Sequence, residues 1–135
     1  MLTETEVLAL PEDEFMGPAM LVFFKHRLML KREEVSNRLT ASRVSIGIER
    51  QADDADNAAN EEFRTLAITM AERDRTDLVN INEALRRIED DEYGWCAVSG
   101  EPISVQRLLL VPESKFSVEV MASMEAKAMH RAKFS

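Results

Sequence analysis

The sequence is poor in the residues that make turns, staples and aromatic cores. Its 135 residues include one cysteine, four glycines and four prolines, and aromatics make up 6%. A lone Cys96 excludes a disulfide within the chain. No basic leader with an apolar core opens the chain, and no apolar run reaches membrane-spanning length, so a soluble cytoplasmic protein is expected. Basic clusters are also missing. The net charge is -8, with Lys and Arg interspersed among acids. That excludes the counterion-releasing footprint of direct DNA or RNA binding and points to a protein partner with a basic cavity. There is no Gly-rich phosphate loop and no nucleophile paired with a base. Nothing reads as an enzyme, and no catalytic residue is assigned.

What is present is helical. Few turn-formers combined with many Glu, Arg, Ala and Leu residues favour long helices. The 45% hydrophobic fraction is enough to bury seams, which excludes wholesale disorder. Thr3 to Glu6 fits a capping box in the acidic opening segment. After Gly17, Pro18 suits a first helical turn. Apolar residues at Leu21, Phe24, Leu28, Val35 and Leu39 then take coiled-coil spacing, with a polar gap at Lys31. The acidic stretch from Gln51 to Asn57 breaks the pattern and can N-cap the next helix. A second helical run is predicted from about Ala58 to Glu92. Leu78, Ile81, Leu85 and Ile88 form its seam, Phe63, Leu66 and Met70 its upstream part, and a stutter is expected near Asp74. Two such helices, each about 50 Å long, are unstable alone, and their short connection makes them antiparallel neighbours.

The texture changes at Tyr93, where turn residues and two aromatics gather. Ile103 and Val105 alternate with polar residues, as in a short strand. Helical spacing returns from about Phe116 to Ala132. The predicted fold is mainly α: a long antiparallel coiled-coil hairpin with a small globular head and a C-terminal helix. Residues 1–17 are the N-terminal segment of the head, 18–92 the coiled coil with an acidic tip at 51–58, and 93–135 the finger-like module with the C-terminal helix.

Two motifs carry alternatives. The tip sequence Asp53-x-x-Asp56-x-Ala58 is either a helix N-cap with dipole-favoured acids or a set of carboxylates presented by a thin arm to Mg²⁺ or basic groups in a narrow pore. Cys96 beside Trp95 is either a small core residue or half of a zinc knuckle, Cys96-Ala-Val-Ser99-Gly-Glu-Pro-Ile103, whose second ligand is replaced. His26 and His130 lie far in sequence from each other and from Cys96 and are read as structural or solvated.

Taken in order, three features resemble the DksA/TraR family: the tip motif, the run Ile88-Glu-Asp-Asp-Glu-Tyr-Gly-Trp-Cys96, and Gly100 to Pro112 with Ile103, Arg107, Leu108 and Pro112. The resemblance runs from about Met16 to Met129. It implies a regulator that binds bacterial RNA polymerase as a monomer, inserts its coiled coil into the secondary channel and tunes initiation, in many members together with ppGpp in the stringent response. Asp53 and Asp56 would act near the active site, with Ala58 allowing close approach. The family's zinc pattern, C-x2-C-x17-C-x2-C, falls on Cys96, Ser99, Ser117 and Val120, so three of four ligands are lost and the finger is degenerate. No zinc or other cofactor is expected, and the finger must be held by packing, with Trp95, Ile103, Leu108, Leu110, Phe116 and Val120 as candidates. Basic side chains that members use for ppGpp at the polymerase interface would fall at Asn80, Val111 and Met121. Arg73 remains as a candidate ppGpp or polymerase contact, and Arg75 or Lys115 are candidate substitutes. The readings kept beside this one are a coiled-coil adaptor for another protein and a Gre-like transcript cleavage factor. The latter is disfavoured because head residues lie at both ends of the chain.

Overall fold

The computed structural model describes residues 1–52 and 57–134. Five α-helices are found among them: α1 (Glu4–Leu8), α2 (Pro18–Ala52), α3 (Asn57–Glu89), α4 (Val105–Leu110) and α5 (Val118–Phe134), with a 3-10 turn at Glu12–Glu14. None is long and apolar enough to cross a membrane. The mainly α architecture agrees with the sequence reading. α2 and α3 form the long hairpin, and α1, α4 and the turns around them form the head at its base.

The ends of the elements follow from local chemistry. Thr3 caps α1 in a reciprocal capping box with Glu6. Pro18 opens α2, where its missing N–H costs nothing. α3 ends three residues before the predicted Glu92. The Glu92 N–H closes on Arg87 O at 2.8 Å and the Asp91 N–H on Ile88 O at 3.3 Å, with Asp91 left-handed at φ 57°. This is a Schellman closure, with aspartate in the place glycine usually takes. Gly94 then turns the chain at φ +94°, where an added Cβ would sit 2.6 Å from the Met16 side chain, so both conformation and space require glycine.

The core sits at the hairpin base. Val7, Met20, Phe24, Leu28, Val35, Ile81, Ala84, Tyr93, Ile103 and Leu108 are all buried there. Phe24 meets Tyr93 at 5.7 Å between ring centres. The buried Tyr93 hydroxyl donates to the Pro112 carbonyl at 2.8 Å, and Arg87 Nη2 to the Ser114 carbonyl at 3.4 Å, which ties the finger to the coil. Lys31, the polar gap in the predicted α2 seam, reaches Glu113 with contacts of 2.7 and 2.9 Å.

Three expectations are corrected. The Ile103–Val105 strand is not formed; instead the Ser104 side chain accepts from the Arg107 N–H at 3.2 Å and caps α4. The α3 seam has no stutter. Its inward positions run Arg64, Ala67, Ala71, Asp74, Leu78, Ile81, Leu85, Ile88, an unbroken 3-4 spacing, whereas Phe63, Leu66 and Met70 are exposed. Finally, Trp95 and Leu110 lie at the surface of the head, at 41% and 81% exposure, so they are not part of its centre.

Candidate functional site

The finger is built on two turns joined back to back. In the first, Trp95 and Pro102 form an antiparallel bridge, Cys96 N–H meets Glu101 O at 2.8 Å, and Ile103 N–H meets Gly94 O at 2.8 Å. The second turn precedes α5, where the Ser117 hydroxyl accepts from the Val120 N–H at 3.3 Å. The Ala97 N–H binds the Lys115 carbonyl at 2.8 Å and closes the two turns together.

This arrangement gathers the four positions that the zinc pattern marks. The Ser99 side chain and the backbone at Ser99, Ser117 and Val98 favour the thiolate form of Cys96. Ser117 in turn holds the start of α5 at Val120. The donor set is one thiol, two hydroxyls and a valine, which does not match the four thiolate or imidazole ligands of a structural zinc. Burial alone would raise the Cys96 thiol, but the surrounding donors outweigh it and bring its pKa down to about 6. Cys96 is buried and free.

The arm carries the other predicted positions. Asp53 and Asp56 lie outside the described residues, and Ala58 is the second residue of α3. Arg73 is exposed on α3. Asn80 and Val111 are partly buried and Met121 lies early on α5. Lys115 sits 3.9 Å from Glu83 and over the Phe116 ring at 5.4 Å. One residue pair was not anticipated by the sequence reading. Arg38 on α2 grips Asp74 on α3 through Nε at 3.1 Å and Nη2 at 2.8 Å, with the carboxylate buried and the guanidinium half exposed. The signal was available, since an uninterrupted heptad count places Asp74 in the seam.

With this geometry in place, comparison with known proteins is informative. The chain is 39% identical over 124 residues to an RNA polymerase-binding transcription factor DksA of Caulobacter vibrioides, covering 89% of this chain and 87% of that protein. The chain belongs to the DksA family. The Salmonella typhimurium DksA is 27% identical over 123 residues, covering 88% of this chain and 82% of its own. The solved structure of transcription factor DksA2 from Pseudomonas aeruginosa superposes with a TM-score of 0.83 at 34% identity, over 95% of this chain and all of that one. No protein-family model matches the chain. The family's hairpin and head are thus both present, and the seam and finger described above are this member's version of them.

Proposed function

We propose that this protein is a transcription regulator that binds RNA polymerase, enters through the secondary channel with the tip of its helical arm, modulates initiation, and does so without zinc. The observation that carries the reading is the similarity, over nearly nine-tenths of the chain, to relatives named as RNA polymerase-binding factors. Docking area comes from the arm and head, while Asp53 and Asp56 supply charge at the far end. The protein acts as a regulator of another enzyme and not as a catalyst.

The test is competition binding to core polymerase beside transcription in vitro from a ribosomal RNA promoter. Asp56→Asn is expected to bind near normally and to lose most of the regulatory effect. Full activity of Asp53→Asn and Asp56→Asn, singly and together, would return the acids to a capping role. With Asn80, Val111 and Met121 at the expected basic positions and Arg73 as the remaining cation, cooperation with ppGpp is weaker than in a fully basic member. The finger's donor set suits a role as a stand-in for a zinc-dependent relative when zinc is scarce.

A further inference from the structure

α3 carries two seams, and one of them is idle. Toward the base both run through Leu78, Ile81, Leu85 and Ile88. They also share Asp74 and part beyond it. The occupied seam continues through Ala71, Ala67 and Arg64. The idle one continues through Met70, Leu66 and Phe63, which are 52%, 57% and 68% exposed. Each residue of the idle line stands one position before its counterpart, so the line is turned about 100° away from α2.

The occupied seam is thin in its distal part. Among the described residues, none past Leu39 on α2 or before Ala71 on α3 is buried. Alanines bring little apolar area. Arg64 Nε is enclosed without a hydrogen-bond partner, which costs its desolvation. The idle line offers three large apolar side chains in place of two alanines and an arginine. Helix geometry is close to neutral between the two. Arg64 to Leu78 is four steps and 14 residues, and Phe63 to Leu78 is four steps and 15. Four undistorted turns take about 14.4 residues, so each seam asks for a small correction of twist, opposite in sense. Asp74, where the seams part, is fastened. Its buried carboxylate is held by Arg38 of α2 through Nε at 3.1 Å and Nη2 at 2.8 Å.

We infer that α3 beyond Asp74 exchanges between two registers against α2, with the Arg38–Asp74 pair as a fixed pivot. One register is the packing described above. In the other, the distal helix turns by about 100° and buries Met70, Leu66 and Phe63 against α2. Packed elements move between discrete arrangements of this kind and do not deform continuously. α2 is the element packed along α3 and so is the cover for the idle line. The turn releases Arg64 to water and sets the large side chains against the small, half-buried Ser42, with a wider helix separation to fit them. The start of α3 turns too, Ala58 included, so the tip has two orientations. The exchange does not depend on the proposed function. Where that function holds, it gives the arm two settings of its tip.

The experiment is disulfide trapping in the full chain, in a Cys96→Ser background. Arg38 opposite Asp74 in antiparallel helices sets Ser42 at the level of Met70 to Glu72. Ser42→Cys is therefore combined in turn with Ala71→Cys, Met70→Cys and Glu72→Cys in a thiol–disulfide buffer. Met70 and Glu72 flank Ala71 at about 100° on either side, so an arm that merely wobbles bridges both alike. The Ala71 pair is expected to form most. The Met70 pair is expected to exceed the Glu72 pair by about fivefold or more, because only one direction of turning buries an apolar line. Adding Phe63→Gln/Leu66→Gln, both on an exposed face, should drop the Met70 pair to the Glu72 level and leave the Ala71 pair unchanged. Leu66→Gln alone lowers the Met70 pair by a smaller factor and decides the matter where circular dichroism shows the double variant losing helix. Equal yields from the Met70 and Glu72 pairs overturn the inference. So does a Met70 yield that ignores the glutamine substitutions. No polymerase enters the experiment, so the register exchange and the proposed function stand or fall separately.

Discussion

Cys96 is buried in the finger beside groups that favour its charged form. Two opposing effects act on the thiol. Burial disfavours the thiolate, and donors from Ser99, Ser117 and Val98 favour it more, giving a pKa of about 6. An unfolded cysteine titrates near 8.5. A folded value below the unfolded one adds stability that is complete above about pH 8.5 and disappears as the pH falls toward 6. The stability of the wild type relative to Cys96→Ser is therefore expected to grow between pH 6 and 8.5 and to level off above. Thermal unfolding of both proteins across this range, with ultraviolet thiolate absorbance as a direct readout, checks it. A thiol that titrates above 8.5 would mean that burial dominates. Below pH 6 the serine variant is expected to lose only a modest amount of stability, because Cys96 then acts as a small packed side chain.

At the scale of the helices, the Arg38–Asp74 pair explains both a success and an error of reading from sequence. The extents of α2, α3 and α5 were legible, because long runs without proline and with apolar residues every three or four positions have few other solutions. The seam of distal α3 was not. Periodicity arguments follow hydrophobic residues, and Phe63, Leu66 and Met70 form a periodic line that happens to face outward. The true seam passes through alanines and through an aspartate made tolerable by an arginine from α2, which a hydrophobicity count does not see. The strand expected at Ile103 failed for a related reason, since Ser104 supplies a cap that turns an alternating pattern into a helix start. Within the finger, the positions Cys96, Ser99, Ser117 and Val120 were implied by the family resemblance and not by the residues alone, and the hydrogen bond by which Ser117 holds Val120 at the start of α5 was not legible. The pair also makes an asymmetric mutational expectation. Arg38→Ala leaves the buried Asp74 carboxylate uncompensated and is expected to cost about 1–3 kcal/mol. Replacing both with leucine removes the charge together with its partner and is expected to be neutral or stabilising. Denaturant unfolding of the two variants decides the matter. Equal losses in both would show that the ion pair itself, and not the desolvated carboxylate, dominates.

For the whole molecule the question is what holds the head on the arm. In a four-thiolate relative, metal binding is coupled to folding. Here the same region is bound to the coil by side chains. Tyr93 is fully buried against Phe24 and hydrogen-bonded to Pro112, Ile103 and Leu108 are buried beside it, and Lys31 fastens Glu113 from α2. These contacts come from segments on both sides of the hairpin, so arm and head should unfold together. A chelator is therefore expected to leave the thermal unfolding of the purified protein unchanged, and elemental analysis should find no stoichiometric zinc. Tyr93→Phe, which keeps the ring but leaves the Pro112 carbonyl without its donor, is expected to cost about 1–2 kcal/mol and to lower the single transition of arm and head together. One zinc per chain, or loss of head structure on chelation, would overturn this account. So would a Tyr93→Phe protein whose head melts well before its arm, because the head would then owe its order to something other than the core it shares with α2 and α3.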